Sequence, residues 1–194
     1  GVSLGLFSLV SSLMKTGGGP LVIDADAINS IAAYAPDKAA LFKKAKRPIV
    51  LTPHPLELSR LTGLSPEKIN ENRKETAERI AREYGVILLL KGNRTVITDG
   101  ETTYVNTSGS SALAKGGSGD VLAGILGAML GQFEHKIAIE RAVYLHGLAG
   151  DIACEKMGEY AMTDAQKLII RQAGNEANCG SCTYDNGFSP QWLR

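Results

Sequence analysis

The segment Ala114-Lys-Gly-Gly-Ser-Gly-Asp-Val-Leu122 places three glycines in four positions, directly before an apolar helical pattern. The first backbone N–H groups of a helix have no partner within the helix, and glycine leaves them accessible. The same end of the helix carries about half a positive elementary charge. Gly116, Gly117, Ser118 and Gly119 are therefore predicted to bind a phosphate, and a phosphoryl group in transfer better still.

Asp120 falls in the first turn of that predicted helix, beside the predicted anion site. A carboxylate in this position can take a proton from an attacking hydroxyl group, which makes Asp120 the candidate catalytic base. The alternative is that Ser118 or Asp120 only caps the helix and that the glycines serve packing. The segment matches neither the Walker A loop nor the dinucleotide fingerprint G-x-G-x-x-G.

A basic segment, Lys91-Gly-Asn-Arg-Thr95, follows the aliphatic run of residues 86–90. A lysine at the carboxyl end of a buried strand can reach phosphate oxygens, and the adjacent Gly92 permits close approach. Arg94 adds a second cation. The alternative for this segment is a solvated basic turn that bends at its glycine.

Two prolines restrict the backbone around His54 in the segment Thr52-Pro-His-Pro-Leu-Glu57. A rigid polar loop after a strand suits the binding of a ligand. His54 can hydrogen-bond an amide or a hydroxyl group, although a purely structural histidine is an equal alternative. Glu57 can cap the following helix or help to hold a hydrated metal ion.

Further polar residues occur where predicted strands end. Asp24 and Asp26 close the first strand and could together bind a cation or hydroxyl groups, but helix capping is the favoured role of Asp26. Asn106 follows the last strand. His146 lies in a helical pattern and is predicted to pack in the core. Ligands of open α/β sheets bind beyond the carboxyl ends of the strands, so one cleft is predicted to collect Asp24, Asp26, Thr52, His54, Lys91, Asn106 and Asp120.

The elements that must position these residues follow from apolar runs and helical spacing. Strands are predicted at residues 20–24, 48–52, 86–90, 95–98 and 102–105, and helices at residues 25–35, 56–62, 66–84, 120–130, 137–156 and 163–172. Asp99-Gly100 predicts a hairpin between the last two strands. Strands alternating with helices predict an α/β fold of three layers, with a mainly parallel sheet covered by helices on both faces.

Length and composition predict one domain, at residues 1–174, followed by a polar tail of no assigned role at residues 175–194. The net charge of +1 gives no general attraction to nucleic acid or to an anionic membrane. No apolar run reaches the roughly 18 residues of a membrane-spanning helix. An odd set of three cysteines favours a reducing cytoplasm, and Cys179 and Cys182 are interpreted as a chance pair.

Taken together, the motifs occur in the order and spacing of the ADP/ATP-dependent NAD(P)H-hydrate dehydratases, which this sequence resembles from Gly1 to Ile170. The matching segments are residues 24–29, 52–57, 91–95 and 106–120, and residues 144–151 are also similar. The resemblance implies a ribokinase-like fold and magnesium-dependent repair of the S epimer of hydrated NADH and NADPH. ADP or ATP would phosphorylate the ring hydroxyl, and loss of that phosphate would restore the reduced nicotinamide.

The resemblance also implies a role for each matching residue. Asp120 would be the base and touch the substrate, and Gly116, Gly117, Ser118 and Gly119 would hold the phosphoryl group. Nucleotide phosphates would be bound by Lys91, Gly92, Asn93, Arg94 and Thr95, and the substrate by His54, Glu57, Asp24 and Asn106. The family further implies a homo-oligomer, with a tetramer expected, and an NAD(P)H-hydrate epimerase as a fused or separate partner.

Two other functions remain open at this point. A small-molecule kinase of the same fold, of the hydroxymethylpyrimidine or hydroxyethylthiazole kinase type, would share the glycine-rich segment and Asp120, although the loop at residues 52–60 favours the dehydratase. A nucleotide-binding chain without turnover is the second alternative.

The sequence departs from the family pattern in three places. Ser110-Ser-Ala112 stands where Asn-Pro-Gly is usual, and Lys115 replaces a common threonine. The Gly-x-Gly-Leu-Gly loop of the family corresponds to Gly1-Val-Ser-Leu-Gly5, and the resemblance implies a long stretch before this loop. We therefore expect the fold to be incomplete at its N-terminus.

Overall fold

The computed structural model describes residues 1–157. The helix predicted at residues 163–172, the polar tail and the Cys179–Cys182 pair lie outside the described residues. The helices are α1 (Leu4–Lys15), α2 (Ala25–Tyr34), α3 (Lys38–Lys43), α4 (Pro55–Thr62), α5 (Pro66–Glu71), α6 (Arg73–Tyr84), α7 (Ser118–Leu130) and α8 (His135–Met157), with a 3-10 turn at Ser111–Leu113. The strands are β1 (Leu21–Ile23), β2 (Ile49–Leu51), β3 (Ile87–Leu90), β4 (Val96–Thr98) and β5 (Thr103–Val105).

The five strands form one mixed sheet in the order β1-β2-β3-β4-β5. The pairs β1–β2 and β2–β3 are parallel, with Val22 opposite Val50 and Leu51 opposite Leu88. The pairs β3–β4 and β4–β5 are antiparallel. Only β4 therefore opposes the direction of its neighbours within the described sheet, and the predicted hairpin at Asp99-Gly100 is confirmed.

Alternating side chains of the strands belong to two separate hydrophobic clusters, one on each face of the sheet. Ile49, Leu51, Leu88 and Leu90 pack with residues of α1 to α6. The second cluster lies under α7 and α8 and consists of Val50, Leu89, Ile97, Leu122, Leu126, Leu130, Ala138, Ile139, Ala142 and Val143. The predicted three-layer arrangement, with helices on both faces, is thus confirmed.

One long helix was predicted at residues 66–84, and the structure corrects it to two. The backbone leaves the helical conformation at Asn72, with φ −132° and ψ 56°, so α5 ends at Glu71 and α6 begins at Arg73. Ile69 of α5 and Ala77 and Ile80 of α6 are buried. The apolar spacing on both sides of the break is compatible with one helix, which is why periodicity alone did not detect it.

Two helices were not predicted. The first, α1, includes Leu4 and Gly5, which the sequence comparison had assigned to a loop; Ser3 caps it by accepting a hydrogen bond from the Leu6 N–H. Its Val10 and Met14 are buried. The short α3 is capped by Asp37, which accepts from the Ala40 N–H. Both caps were visible in the sequence as signals of a helix start.

The ends of helices flanking the sheet follow their local sequence. Gly63 and Gly85 adopt the left-handed conformation that ends α4 and α6. None of the helices found among residues 1–157 is both long enough and apolar enough to cross a membrane.

Candidate functional site

The start of α7 presents free backbone N–H groups, as the glycines predicted. The helix begins at Ser118, two residues earlier than expected, and its N-cap is Gly117 with φ +86°. No side chain caps it. Within the described chain, the N–H groups of Gly119 and Asp120 form no hydrogen bond to another protein group. The capping interpretation of Ser118 and Asp120 is therefore not observed, and this end of α7 is open to an anion.

Three charged side chains from three different strand ends meet close to that helix start. Lys91 Nζ lies 2.7 Å from Asp24 Oδ1 and 4.0 Å from Glu57 Oε2. A methyl group added to Gly119 would lie 3.7 Å from both Lys91 Nζ and Asp24 Oδ2. We call Asp24, Glu57 and Lys91 the strand-end cluster. Parallel strands bring residues that are far apart in sequence to one edge of the sheet.

The rigid loop around His54 proves to be a helix cap. His54 is the N-cap of α4, and its Nδ1 accepts from the N–H groups of Leu56 and Glu57 at 3.1 and 3.3 Å. Glu57 Oε2 in turn accepts from the His54 N–H at 2.9 Å, which completes a capping box. Because Nδ1 is an acceptor, the neutral ring carries its hydrogen on Nε2, which lies 3.4 Å from Glu57 Oε1. The predicted capping role of Glu57 is therefore observed.

The side chains of Glu57 and His54 differ in their exposure to solvent. The Glu57 side chain is 6% exposed, whereas the His54 side chain is 45% exposed. Arg60, further along α4, donates to Asn29 Oδ1 at 3.0 Å and so connects α4 to α2. The His54 ring is thus partly open to solvent, while the buried Glu57 completes the capping box and lies 4.0 Å from Lys91 Nζ.

Asp24 is placed by a strained turn. It is the N-cap of α2 but makes no side-chain cap hydrogen bond, because its carboxylate is directed to Lys91. The next residue, Ala25, has φ +50°, a conformation that L-residues other than glycine rarely adopt. Asp26 lies in the first turn of α2 and is not the cap, so the capping role favoured for it was wrong. Such local strain is typical of functional positions.

The basic segment at residues 91–95 forms a tight turn at the end of β3. Thr95 Oγ1 donates to the Gly92 carbonyl at 3.0 Å, and Arg94 has φ +55°. Gly92, Asn93 and Arg94 are exposed. The Lys91 N–H donates to the Pro53 carbonyl at 2.8 Å, which joins this turn to the His54 loop. The turn thus points one cation, Lys91, inward and leaves Arg94 in solvent.

Asn106 forms its hydrogen bonds with Ser108 and Thr95 and not with the charged residues of the strand-end cluster. It is 4% exposed; its Nδ2 donates to the Ser108 carbonyl at 2.9 Å and its Oδ1 accepts from Ser108 Oγ at 3.2 Å. Its own N–H donates to the Thr95 carbonyl. Asn106 therefore shapes the first turn of the segment at residues 106–117, which we call the glycine-rich loop. Contact of Asn106 with substrate stays a prediction.

The glycine-rich loop is docked onto α8. Ser108 Oγ donates to the Tyr144 carbonyl at 2.9 Å, and the Gly109 N–H donates to Asp151 Oδ2 at 2.8 Å. A methyl group on Gly147 would lie 2.2 Å from Ser108 Oγ, and one on Gly150 would lie 2.6 Å from the Leu113 side chain. The motif at residues 144–151, whose role the sequence left unassigned, is thus the surface that receives the loop.

His146 joins this docking surface to the start of α7. It is buried, as predicted, and its Nε2 lies 3.2 Å from Ser118 Oγ. Burial lowers the pKa of His146, and hydrogen bonding to Ser118 opposes that shift only in part. The neutral imidazole is therefore the form that the fold favours. The prediction of a packed core histidine is confirmed, with a contact that the sequence could not indicate.

These positions define one edge of the sheet, with the strand-end cluster on one side of the start of α7 and the loop docked on α8 on the other. The predicted base Asp120 is exposed in the first turn of α7. The arrangement can accept a phosphate against the free N–H groups, with Lys91 beside it.

Comparison with known proteins shows the family. The sequence pattern of a family described as NAD(P)H-hydrate dehydratase matches residues 8–171. The chain belongs to the NAD(P)H-hydrate dehydratase family. A bifunctional NAD(P)H-hydrate repair enzyme of Moorella thermoacetica is 43% identical over 157 residues, which are 79% of this chain and 29% of that protein.

Solved structures place the fold. A crystal structure of the ADP/ATP-dependent NAD(P)H-hydrate dehydratase from Bacillus subtilis, co-crystallised with ATP and Mg²⁺, aligns with a TM-score of 0.70 and 32% identity, covering 81% of this chain and 55% of that one. A ribokinase-like superfamily protein from Enterococcus faecalis aligns with a TM-score of 0.72 and 27% identity, covering 91% and 59%. The predicted ribokinase-like fold is confirmed. The chain spans 29% of the length of the Moorella thermoacetica enzyme and little more than half of the two solved chains.

Proposed function

We propose that the protein restores NADH and NADPH from their hydrated S epimers, with ADP or ATP as the phosphoryl donor. The observation that carries the proposal is the meeting of Lys91 and Asp24 beside Gly119, at the open start of α7. Membership of the NAD(P)H-hydrate dehydratase family supplies the substrate class. A cation and free N–H groups on one side of a carboxylate are the groups that phosphoryl transfer to a hydroxyl requires.

The residues would divide the work as follows. Asp120 takes the proton from the ring hydroxyl as its oxygen bonds to the terminal phosphorus of the nucleotide, and the bond to the leaving nucleotide phosphate breaks. The N–H groups of Gly119 and Asp120 bind the charge that develops on the phosphoryl oxygens. The phosphate then leaves with the electrons of the ring C–O bond, and the neighbouring ring carbon loses a proton, which restores the double bond.

Binding of the two substrates falls to different parts of the site. Lys91, and Arg94 from the exposed turn, would bind nucleotide phosphates together with Gly92, Asn93 and Thr95. His54 and Leu56, which are 45% and 46% exposed, would border the hydrated nicotinamide. The Nε2–H of His54 is the group that can donate to an amide or hydroxyl oxygen there.

A magnesium ion fits this site only in company with nucleotide phosphates. Among the described residues, no group of three or more His, Cys, Asp or Glu side chains could hold a metal ion by itself. Mg²⁺ usually takes one or two protein carboxylates and completes its shell with phosphate oxygens and water. Asp24, whose Oδ2 would lie 3.7 Å from a methyl group added to Gly119, is the carboxylate of the strand-end cluster that could bind it, and a bound Mg²⁺ would neutralise phosphate charge there.

The test is to incubate the full-length protein with hydrated NADH, ADP or ATP, and Mg²⁺, and to follow the near-ultraviolet absorbance of the reduced nicotinamide. We expect nucleotide-dependent recovery of the absorbance and release of phosphate. No recovery from a sample confirmed to contain NADH hydrate would refute the dehydratase. A stable phosphorylated alcohol from a small-molecule substrate would instead identify a kinase, and ADP binding without turnover a nucleotide-binding protein.

Three aspects of the whole protein stay proposals. We propose that it assembles as a homo-oligomer, with a tetramer expected, and that an epimerase supplies the S epimer, as the relative from Moorella thermoacetica is named a bifunctional repair enzyme. We also propose that it works in the cytoplasm, where Cys154, a free thiol in the described part of the chain, would remain reduced.

A further inference from the structure

Arg73 lies outside the candidate site and hydrogen-bonds to the backbone at the end of β3. Its Nη2 donates to the carbonyls of Leu90 and Lys91 at 3.0 and 3.1 Å, and its Nη1 donates to Asn70 Oδ1 at 3.2 Å. Arg73 is the first residue of α6, directly after the break at Asn72. Burial lowers the pKa of Arg73, although guanidinium groups remain charged at any physiological pH.

The absence of a side chain at Gly92 leaves room for this guanidinium group. It has φ +143°, and a methyl group added there would lie 2.9 Å from Arg73 Nη2 and 3.1 Å from Nη1. A side chain at position 92 would therefore displace either the arginine or the turn. The glycine that the sequence suggested for approach to phosphate allows the close approach of Arg73.

These contacts fix the backbone of the residue whose side chain enters the site. The Lys91 carbonyl is held by Arg73, the Lys91 N–H by the Pro53 carbonyl at 2.8 Å, and the Lys91 ammonium by Asp24 at 2.7 Å. If the backbone grip is lost, the flexible four-carbon stem of Lys91 has no fixed origin. The ammonium would then no longer be held beside Gly119.

We propose that Arg73 is a positioning residue that sets Lys91 for phosphate binding. The proposal deepens the proposed function, because Lys91 is assigned there to nucleotide phosphates. Arg73 does not touch the nucleotide; its whole effect passes through the turn at residues 91–95 and through Lys91.

The experiment is a double-mutant cycle with Arg73→Met and Lys91→Met, measured by calorimetry of ADP binding to the full-length protein. If Arg73 acts through Lys91, Arg73→Met weakens ADP binding about tenfold in the native background and by less than about twofold when Lys91 is already methionine. Thermal unfolding of each variant reports the loss of stability separately.

The matched control is Arg82→Met. Arg82 lies in the last turn of the same helix and donates to the Gly100 carbonyl of the hairpin, at the opposite end of β4 from residues 91–95. Arg82→Met should lower the unfolding temperature much as Arg73→Met does, because it also leaves a partly buried carbonyl without its donor. It should leave ADP affinity unchanged.

The outcomes separate this proposal from the proposed function. An equal loss of ADP affinity in both Lys91 backgrounds, or an equal loss in Arg82→Met, would overturn the positioning role alone. Coupling between Arg73 and Lys91 without any recovery of NADH would support the positioning role and reject the dehydratase. Failure of the unaltered protein to bind either ADP or ATP would overturn both.

Discussion

Charges hold the site at the ends of β1, β2 and β3, whereas close packing against glycines holds it on α8. On the first side, Lys91 contacts Asp24 at 2.7 Å, and Asp24 is only 17% exposed. On the second side, Ser108 and Leu113 press against Gly147 and Gly150, where no Cβ would fit.

The difference matters because the two forces depend differently on distance. Coulomb attraction between two charges changes slowly over an ångström. Van der Waals repulsion rises steeply, so the docked loop tolerates no added atom at its contacts. We therefore expect the strand-end cluster to be sensitive to removed charges and α8 to be sensitive to added volume.

The largest effect is expected at Asp120, where the two sides meet. Asp120→Ala should lower turnover of hydrated NADH about a hundredfold or more, because a positioned base contributes roughly that much. ADP affinity, measured by calorimetry, should stay within a few-fold. Glu67→Ala is the control, since Glu67 is also an exposed carboxylate in the first turn of a helix. Equal turnover by Asp120→Ala would reject its assignment as the base.

Gly147→Ala tests the packed side. The new methyl group would lie 2.2 Å from Ser108 Oγ and 2.7 Å from the Ser108 carbonyl carbon, so the glycine-rich loop must move. We expect a loss of about 1–3 kcal/mol in the free energy of unfolding and weaker ADP binding.

Gly124→Ala in α7 is the matched control, because nothing lies within 4 Å of its added methyl group. There the change should be neutral or stabilise by up to about 1 kcal/mol, since alanine favours a helix interior. If the two variants lose the same free energy of unfolding in urea titrations, the packing argument for α8 is wrong.

A smaller effect concerns pH and is expected on the α8 side, at His146. Because burial lowers the pKa of His146, the unfolded chain takes up its proton first as pH falls below about 6.5. The free energy of unfolding should therefore decrease as the pH is lowered through that range. It should level off once the folded state also binds the proton. Urea titrations of His146→Gln should show a shallower pH dependence than the native protein; an unchanged slope would contradict the shift.

The smallest effect is expected at Ala25, on the charged side. Ala25→Gly removes the cost of φ +50° and should stabilise by about 0.5–1 kcal/mol, if Asp24 keeps its place. Ala33→Gly in the exposed part of the same helix should destabilise by a similar amount. Thermal unfolding compares the two, and destabilisation by both would show that Ala25 is not strained.

Much of the fold was readable because each element carries its own local signal. Short aliphatic runs predicted β1, β2 and β3, and Asp99-Gly100 predicted the hairpin. The starts of α1 and α3 carry local cap signals at Ser3 and Asp37, but what stabilises α1, and the helix that follows the break at Asn72, is contact with other elements. In α1 it is burial of Val10 and Met14, and beyond Asn72 it is the contact of Arg73 with β3.

The candidate site divides in the same way. The open start of α7 was predictable, because glycines before an apolar helix fix the local backbone. The neighbours of Lys91 were not, since Asp24 is 67 residues away along the chain. Nor did the sequence indicate that Gly92 fits Arg73 or that residues 144–151 receive the glycine-rich loop.

By itself the sequence determined which segments become strands and most helices, where a helix starts with open N–H groups, and to which family the chain belongs. These properties depend on neighbours within a few residues and on the order of motifs. Only the tertiary structure decided which charges meet, that His54 caps α4 with Glu57, and that α8 carries the loop. Those contacts join residues whose separation in space is set by strand pairing and helix packing, and no local pattern encodes that distance.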